Sequence, residues 1–459
     1  MKCESCILTG TMAKKGSIKY VCQNCGAVHS SWMGRCSACG EWNTITEQLD
    51  AASLAAPKGR KLEATQVATL SKTKQMERIH AGVESVDDVL GGGFVPGSVT
   101  LLAGQPGIGK STLLLQIAYE AAKTTKVLYI SGEESVHQVG LRAKRLGVNH
   151  EDLLLASSTS ADDIASTIAS GEQSLVVVDS IQTISASAVS SAAGSVSQIT
   201  NSTQMLMAAA KTANTALLLV GHVTKEGSIA GPKVLEHVVD VVLQLEGDRY
   251  GGFKILRSVK NRFGSTHESA IFEMKENGLL PVVNPSAALL EERQVSDGSV
   301  VLATIEGARP LLVEVQALVN TTSYGYPKRT ASGMDLNRLN LLVAMLEKRT
   351  KLNLSDKDIY INIVGGLKLS EPAADLAVCM AIASASKGMQ LKDDAVVFGE
   401  VGLSGEVRRV PFADKRIAEA KKLGFSGAIA PVGSAEKKSA AFVHEVRDIR
   451  SALNQFLSK

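Results

Sequence analysis

Gly104, Gln105, Pro106, Gly107, Ile108, Gly109, Lys110 and Ser111 fill the spacing G-x-x-x-x-G-K-[ST] completely, with Thr112 next in the chain. Glycines at these positions let consecutive backbone N–H groups turn toward phosphate oxygens at a helix N-terminus. Lys110 then reaches the β- and γ-phosphates, and the Ser111 hydroxyl is placed for Mg²⁺. The chemistry needs carboxylates as well. The run "SLVVVDS" closes on Asp179, where an acid can hold hydrated Mg²⁺; the same place would suit a helix N-cap. "YISGEES" closes on Glu133 and Glu134. One of the two can orient and polarise an attacking water, while the other charges the first turn of the next helix. "LLLVGHVTKEG" brings His222 to the end of a further strand, either to sense a γ-phosphate or to make a structural hydrogen bond.

A second cluster lies near the N-terminus. Cys22, Cys25, Cys36 and Cys39 give C-x2-C-x10-C-x2-C, two knuckles that supply four thiolates to a tetrahedral zinc ion. Gly26 and Gly40 follow the second cysteine of each pair, where the knuckle turn needs a permissive backbone. A complete four-cysteine set leaves no open position, so the site reads as structural, and His29 is not needed as a ligand. Cys3 and Cys6 form a third pair with no fourth to complete it, and Met12 opens a more natural start, so residues 1–11 read as an extension without structural role. Cys379, in "DLAVCMAIA", reads as a core residue.

These groups need a scaffold. "SVTLLAG", "KVLYISG", "SLVVVDS" and "ALLLVGH" are short apolar runs separated by helical stretches such as "STLLLQIAYEAAK" and "SVHQVGLRAKRLG". Strands alternating with helices imply an α/β fold with a mainly parallel sheet covered on both faces. A polar, aperiodic stretch separates it from the cysteine-rich part, and a second break falls near "GLLPVVNPSAALL". The resulting division is 12–46 for the zinc finger, 47–76 for a linker, 77–283 for the nucleotide-binding core and 284–459 for another α/β unit without a second P-loop.

The bulk numbers bound the rest. With 459 residues, 45% hydrophobic and 21% charged, the chain can bury large aliphatic cores, since aromatics are only 4%. A net charge of +3 does not by itself argue for nucleic acid, so any such contact must be a local basic patch. No apolar run is long enough for a bilayer and no secretory signal is evident, so a cytoplasmic protein with no membrane partner is expected.

Taken together, "GGGFVPGS…GQPGIGKST", "SGEES", "VVVDS" and "VKNRFG" resemble the bacterial RadA (Sms) family of DNA-repair ATPases in the RecA/DnaB superfamily. The four-cysteine knuckle and the C-terminal α/β unit match it as well, so the resemblance spans about residues 12–459. It implies a zinc finger, a RecA-like ATPase core and a Lon-protease-like domain of ribosomal S5-like fold, with ATP, Mg²⁺ and Zn²⁺ as cofactors. It further implies a homo-hexameric ring that acts as a helicase or translocase on single-stranded DNA, and that extends or branch-migrates intermediates (D-loops) made by the RecA recombinase. Glu133 aligns with the catalytic glutamate, and Lys110, Ser111 and Asp179 with the nucleotide and Mg²⁺ residues. Lys260, Asn261 and Arg262 fall on the family's signature loop.

On that reading, DNA meets the loops that follow the nucleotide-sensing strands. "SIQTISASAVSSAAGSVSQIT" is small-residue-rich, as a mobile loop should be, and "TKEGSIAGPKVLEHVVD" offers Lys225 and Lys233 to phosphates. Arg262 or Lys260 is expected to complete a neighbouring subunit's ATP site in trans, with Asn261 and Phe263 relaying its state to the DNA loops. In the C-terminal unit Ala373 falls where a Lon-type serine would stand and Arg416 nearest its lysine, so no peptidase activity is expected. "VRRV", Lys415, Arg416, Lys421 and Lys422 are DNA-contact candidates or a solvated face. The competing class is an ATP-dependent adaptor that binds protein without motor activity.

Overall fold

The structure is a computed structural model that describes residues 18–49, 77–222, 234–247, 253–323, 325–369, 371–391, 394–435 and 439–458. The chain divides at Gln75/Met76 into two compact units. Cys3, Cys6, the expected extension 1–11, most of the expected linker, and Lys225 and Lys233 lie outside the described residues.

The small unit is a three-stranded antiparallel sheet in the order β2 (Val28–His29), β1 (Ile18–Cys22), β3 (Ile45–Leu49). It runs past the expected boundary at 46, because Glu47, Gln48 and Leu49 pair with Tyr20, Lys19 and Ile18. Those three residues are polar or isolated in apolar pattern, so only the cross-strand partner reveals them as strand.

The large unit begins with α1 (Glu84–Leu90) and then alternates β4 (Val99–Gly104), α2 (Lys110–Ala122), β5 (Val127–Ser131), α3 (Val136–Arg145), β6 (Leu153–Ser157), α4 (Ala161–Ala169), β7 (Leu175–Asp179), α5 (Val196–Ala213) and β8 (Ala216–His222). α6 (Val234–Val238), β9 (Val241–Gly247), β10 (Phe253–Asn261), β11 (Ser269–Lys275) and β12 (Gly278–Pro281) follow. One nine-stranded sheet results, in the order β12-β11-β10-β9-β4-β8-β7-β5-β6. The pairs from β9 through β6 are parallel and the last three strands add on antiparallel. Along β7, Val177 packs into the core on one face while Val176 and Val178 pack into that on the other. Burial on both faces is why these strands read as unbroken apolar runs rather than alternating ones.

The C-terminal half contributes α7 (Pro285–Leu290), β13 (Ser299–Glu306), β14 (Arg309–Thr321), β15 (Arg329–Ser332), α8 (Leu336–Thr350), β16 (Lys357–Ile363), α9 (Asp375–Lys387), β17 (Gln390–Leu391), β18 (Ala395–Val397), β19 (Glu400–Val401), β20 (Val407–Arg408), α10 (Ala413–Lys422), β21 (Gly427–Pro431), β22 (Val443–Val446), α11 (Ile449–Phe456) and β23 (Leu457–Ser458). Its main sheet runs β15-β16-β14-β13-β18-β21-β22. This half is packed onto the nine-stranded sheet rather than strung beside it. Ile255 of β10 and Ile271 of β11 belong to the C-terminal hydrophobic core. At the same junction Arg257 of β10 pairs with Glu246 of β9 and Glu306 of β13. Among the described residues no helix is long and apolar enough to cross a membrane.

Candidate active site

The strand order sets the site. β8 lies between β4 and β7, with β5 on the far side of β7, so the loops at the C-terminal ends of these four parallel strands open into one cleft. A cavity of about 480 Å³ there is lined by Pro106, Gly107, Gly109, Lys110, Ser111 and Thr112, and by Glu133, Glu134, Asp179 and His222. Gly104 is required by contact with backbone, and Gly109 by its conformation. A Cβ on Gly104 would lie 2.8 Å from the Leu245 carbonyl oxygen, and one on Gly109 2.6 Å from Met274 Cε, with φ already at +114°.

Lys110, at the N-terminus of α2, is buried. Its Nζ donates to Gly104 O (2.9 Å), Gln105 O (3.1 Å) and His222 Nδ1 (3.0 Å). Burial pulls the ammonium down to about 8, with Asp179 and Glu133 opposing. Because His222 accepts at Nδ1, its ring proton is on Nε2, which donates to Glu133 Oε1 at 3.4 Å. Ser180 Oγ donates to the same oxygen at 2.5 Å. Burial raises the Glu133 carboxyl, but the hydrogen bonds from Ser180 and His222 and the nearby Lys110 ammonium hold it below its ordinary range. Asp179 Oδ2 accepts from Tyr129 Oη at 2.7 Å and does not act as a helix cap.

The two adjacent glutamates separate cleanly. Glu134 is engaged by Arg142 (2.7 Å), and α3 is capped by Ser135 and Gln138 through a reciprocal pair of bonds. Both glutamates line the cavity, but Glu133 is the one without an arginine partner and near Lys110. Tyr129, Arg142 and Ser180 are the neighbours that sequence reasoning missed. A tyrosine within an otherwise aliphatic buried strand was the available signal for the first. The segment after Asp179, expected as a mobile loop, is instead framed: Gln198 of α5 bonds Ala186 N, Val189 O and Ser191 O at 2.9, 2.7 and 3.0 Å.

The "VKNRFG" loop lies elsewhere. Asn261 is opposite Val241, which is opposite Thr100, whereas the P-loop leaves β4 at Gly104, opposite Leu245. Four residues of strand separate the levels, about 13 Å along the sheet. Lys260 Nζ donates to the carbonyls of Glu236 (2.7 Å), His237 (3.2 Å) and Val239 (2.8 Å), closing the end of α6. Burial, then the Arg262 charge, lowers its pKa. Asn261 Nδ2 donates to Leu90 O (3.1 Å) at the end of α1 and its Oδ1 receives Phe263 N (2.9 Å). Lys260 and Asn261, expected as ligand contacts, are thus turned onto the chain's own backbone. Arg262 is 53% exposed and pairs with Asp240 at 3.1 Å.

In the small unit the four cysteine sulfurs lie within 4.8 Å of one another. Cys22–Cys39 and Cys25–Cys36 are each separated by 3.7 Å. A tetrahedron with Zn–S near 2.3 Å has edges of about 3.8 Å, so the set fits zinc. Gly26 and Gly40, at φ 71° and 78°, donate to Cys22 O and Cys36 O as the knuckle turns require. The Cys36 thiol is drawn down to about 5, first by the N–H of Cys39, against burial, and then by Ala38 N–H and His29.

In the C-terminal half, Ala373 is buried. Arg416 is 1% exposed and bonds Glu371 through both terminal nitrogens (2.9 and 2.6 Å), Ala303 O (2.6 Å) and Pro411 O (3.2 Å). It is therefore no DNA contact. The expectation followed its place in a charge run, while α10 turns that one position into the core.

Three family descriptions match the chain: "AAA domain" over residues 65–228, "Rubredoxin metal binding domain" over 20–47 and "Subunit ChlI of Mg-chelatase" over 340–434. The "DNA repair protein RadA" of Aquifex aeolicus is 47% identical over 439 residues, covering 96% of this chain and 99% of that protein. Those of Bacillus subtilis and Salmonella typhimurium are 49% and 44% identical, covering 92% and 97% of this chain and 94% and 99% of theirs. A crystal structure of the RadB recombinase aligns with 44% of this chain and 99% of that one at 25% identity and a TM-score of 0.36, too weak a likeness to bear on function. The zinc site and the ATP and Mg²⁺ site are those this family's domains carry, and at such identity and coverage the chain belongs to the RadA family.

Proposed function

We propose that the protein is a DNA-dependent ATPase of recombinational DNA repair, working as a homo-hexameric ring on single-stranded DNA and extending or branch-migrating intermediates made by the RecA recombinase. ATP hydrolysis rests on Lys110, Ser111, Glu133 and Asp179 lining one cavity. Lys110 neutralises phosphate charge, Ser111 and Asp179 would hold a Mg²⁺ ion that would offset phosphate charge, and Glu133 orients and accepts a proton from water. The backbone of Gly104–Thr112 seats the phosphates.

The observation that carries the ring is the place of Arg262. It is exposed at the opposite end of the sheet from its own P-loop, so its guanidinium meets a nucleotide only across a boundary between subunits. An arginine arriving in trans stabilises the charge that Lys110 alone leaves on the transferring phosphoryl group. Lys260 and Asn261 support that loop by tying it to α6 and α1, and the Lys225 and Lys233 segment is assigned to DNA phosphates.

The test is ATP turnover with and without single-stranded DNA, together with DNA binding across a salt series. Stimulated turnover and binding that weakens steeply with salt are expected. Unstimulated turnover with salt-independent or absent binding overturns the motor and leaves the protein-binding adaptor.

A further inference from the structure

Glu133 is held by one oxygen. Ser180 and His222 both donate to Oε1, and among the described residues Oε2 has no partner. Ser180 is fully buried and begins the segment that leaves Asp179. Directly after it comes the 3₁₀ turn Ile181–Thr183, in which Thr183 Oγ1 donates to Ser180 O at 2.8 Å. That turn is pressed against the one bearing Glu133, since a Cβ on Gly132 would lie 2.2 Å from Thr183 Oγ1. Farther along, Gln198 ties Ala186, Val189 and Ser191 into one frame, with its helix capped by Ser195. The segment is therefore a braced body with the Ser180 hydroxyl at one end and an outward surface at the other. A displacement of the body carries the hydroxyl with it.

We propose that Ser180 is a positioning residue that restrains Glu133, and that single-stranded DNA bound along the braced segment 184–195 releases the restraint. This rests on the DNA-dependent ATPase reading above. A short hydrogen bond into Oε1 fixes the plane of the carboxylate and withdraws electron density from it, which makes Glu133 a poorer base toward water. Nucleic acid that shifts the segment lengthens this bond and leaves His222 as the remaining partner. Ser180 is fully buried and does not line the cavity, so its hydroxyl acts through Glu133.

The experiment compares wild type, Ser180→Ala and Ser180→Thr in ATP turnover with and without an oligo-dT strand, with oligo-dT affinity and melting temperature measured alongside. Ser180→Ala is expected to raise DNA-free kcat about fivefold, the effect of losing one hydrogen bond. It brings the stimulation ratio correspondingly closer to one, with KM for ATP and oligo-dT affinity unchanged. Ser180→Thr, which keeps the donor, should retain the wild-type ratio. Should Ser180→Ala fail to fold, Gln198→Ala loosens the segment from its other end and is expected to raise DNA-free turnover likewise. DNA-free turnover that stays the same or falls in the folded variant overturns the proposal. Wild-type turnover indifferent to oligo-dT fails the motor reading instead, and the restraint is then judged on DNA-free turnover alone, where a rise supports it and no rise overturns it.

Discussion

Replacing Arg416 by alanine should destabilise the protein without touching its nucleotide site. The side chain is 1% exposed and makes four hydrogen bonds, two of them to both oxygens of Glu371. Breaking a buried pair by removing one partner costs about 3–5 kcal/mol, because the other charge is left behind. Here Glu371 keeps donors from Thr304 Oγ1 and Ile305 N, which places the loss at the lower end, about 3 kcal/mol. For a unit of roughly 400 residues unfolding together, the unfolding entropy is about 0.8 kcal/mol/K, so Tm should fall by about 4 °C. Removing both charges as Glu371→Leu with Arg416→Met should recover most of this, to within about 1 kcal/mol of wild type.

The pH dependence has a definite sign. Burial raises the Glu371 carboxyl, yet Arg416, Thr304 and Ile305 together hold it below its ordinary value of 4.5. A carboxylate with a lower pKa folded than unfolded contributes stability above the unfolded value and loses it as pH falls through the folded one. The gap between wild type and Arg416→Ala should therefore be full near neutrality and narrow on acidification below about pH 4.5. Thermal melts followed by circular dichroism over a pH series measure both. A Tm within 1 °C of wild type for Arg416→Ala, or a double variant no more stable than it, would refute the reasoning.

Glu133→Gln should bind ATP normally and lose at least about 100-fold in turnover, measured by nucleotide binding and phosphate release, since the amide cannot take a proton. Mixing Glu133→Gln with Arg262→Ala, each inactive alone, should restore partial turnover by assembling sites with an intact Glu133 and a neighbour's Arg262; no recovery at any ratio counts against action in trans. Elemental analysis should find one zinc per chain. Cys36→Ser should lose it, and acid should release it as the thiolates protonate.

The nucleotide machinery was largely legible because its parts are local. A P-loop is a turn and a helix start within one stretch, and Asp179 and Glu133 each close an apolar run. The cysteine spacing carried the zinc site for the same reason. Arg416 shows the limit: a charge run in sequence does not say which of its members a helix turns inward, and only packing against Glu371 and Ala303 does. Likewise the braced segment after Asp179 read as mobile from its small residues, because Gln198, the residue that braces it, has no meaning until α5 brings it back.

Sequence alone thus nominated the residues proposed to meet phosphate, magnesium and zinc, which the structure gathers into one cavity and one cysteine cluster, and the alternation that builds a parallel sheet. Tertiary structure separated the two glutamates that line the cavity, since Arg142 engages Glu134 and leaves Glu133 near Lys110. It also separated the cations of the "KNR" loop: Lys260 is spent on three carbonyls, and Arg262 stands exposed at the far end of the sheet. The reason is physical. A ligand set is fixed by chemistry and spacing along the chain, whereas the direction of a charge depends on strand register and on which neighbours satisfy it, and those come from residues distant in sequence.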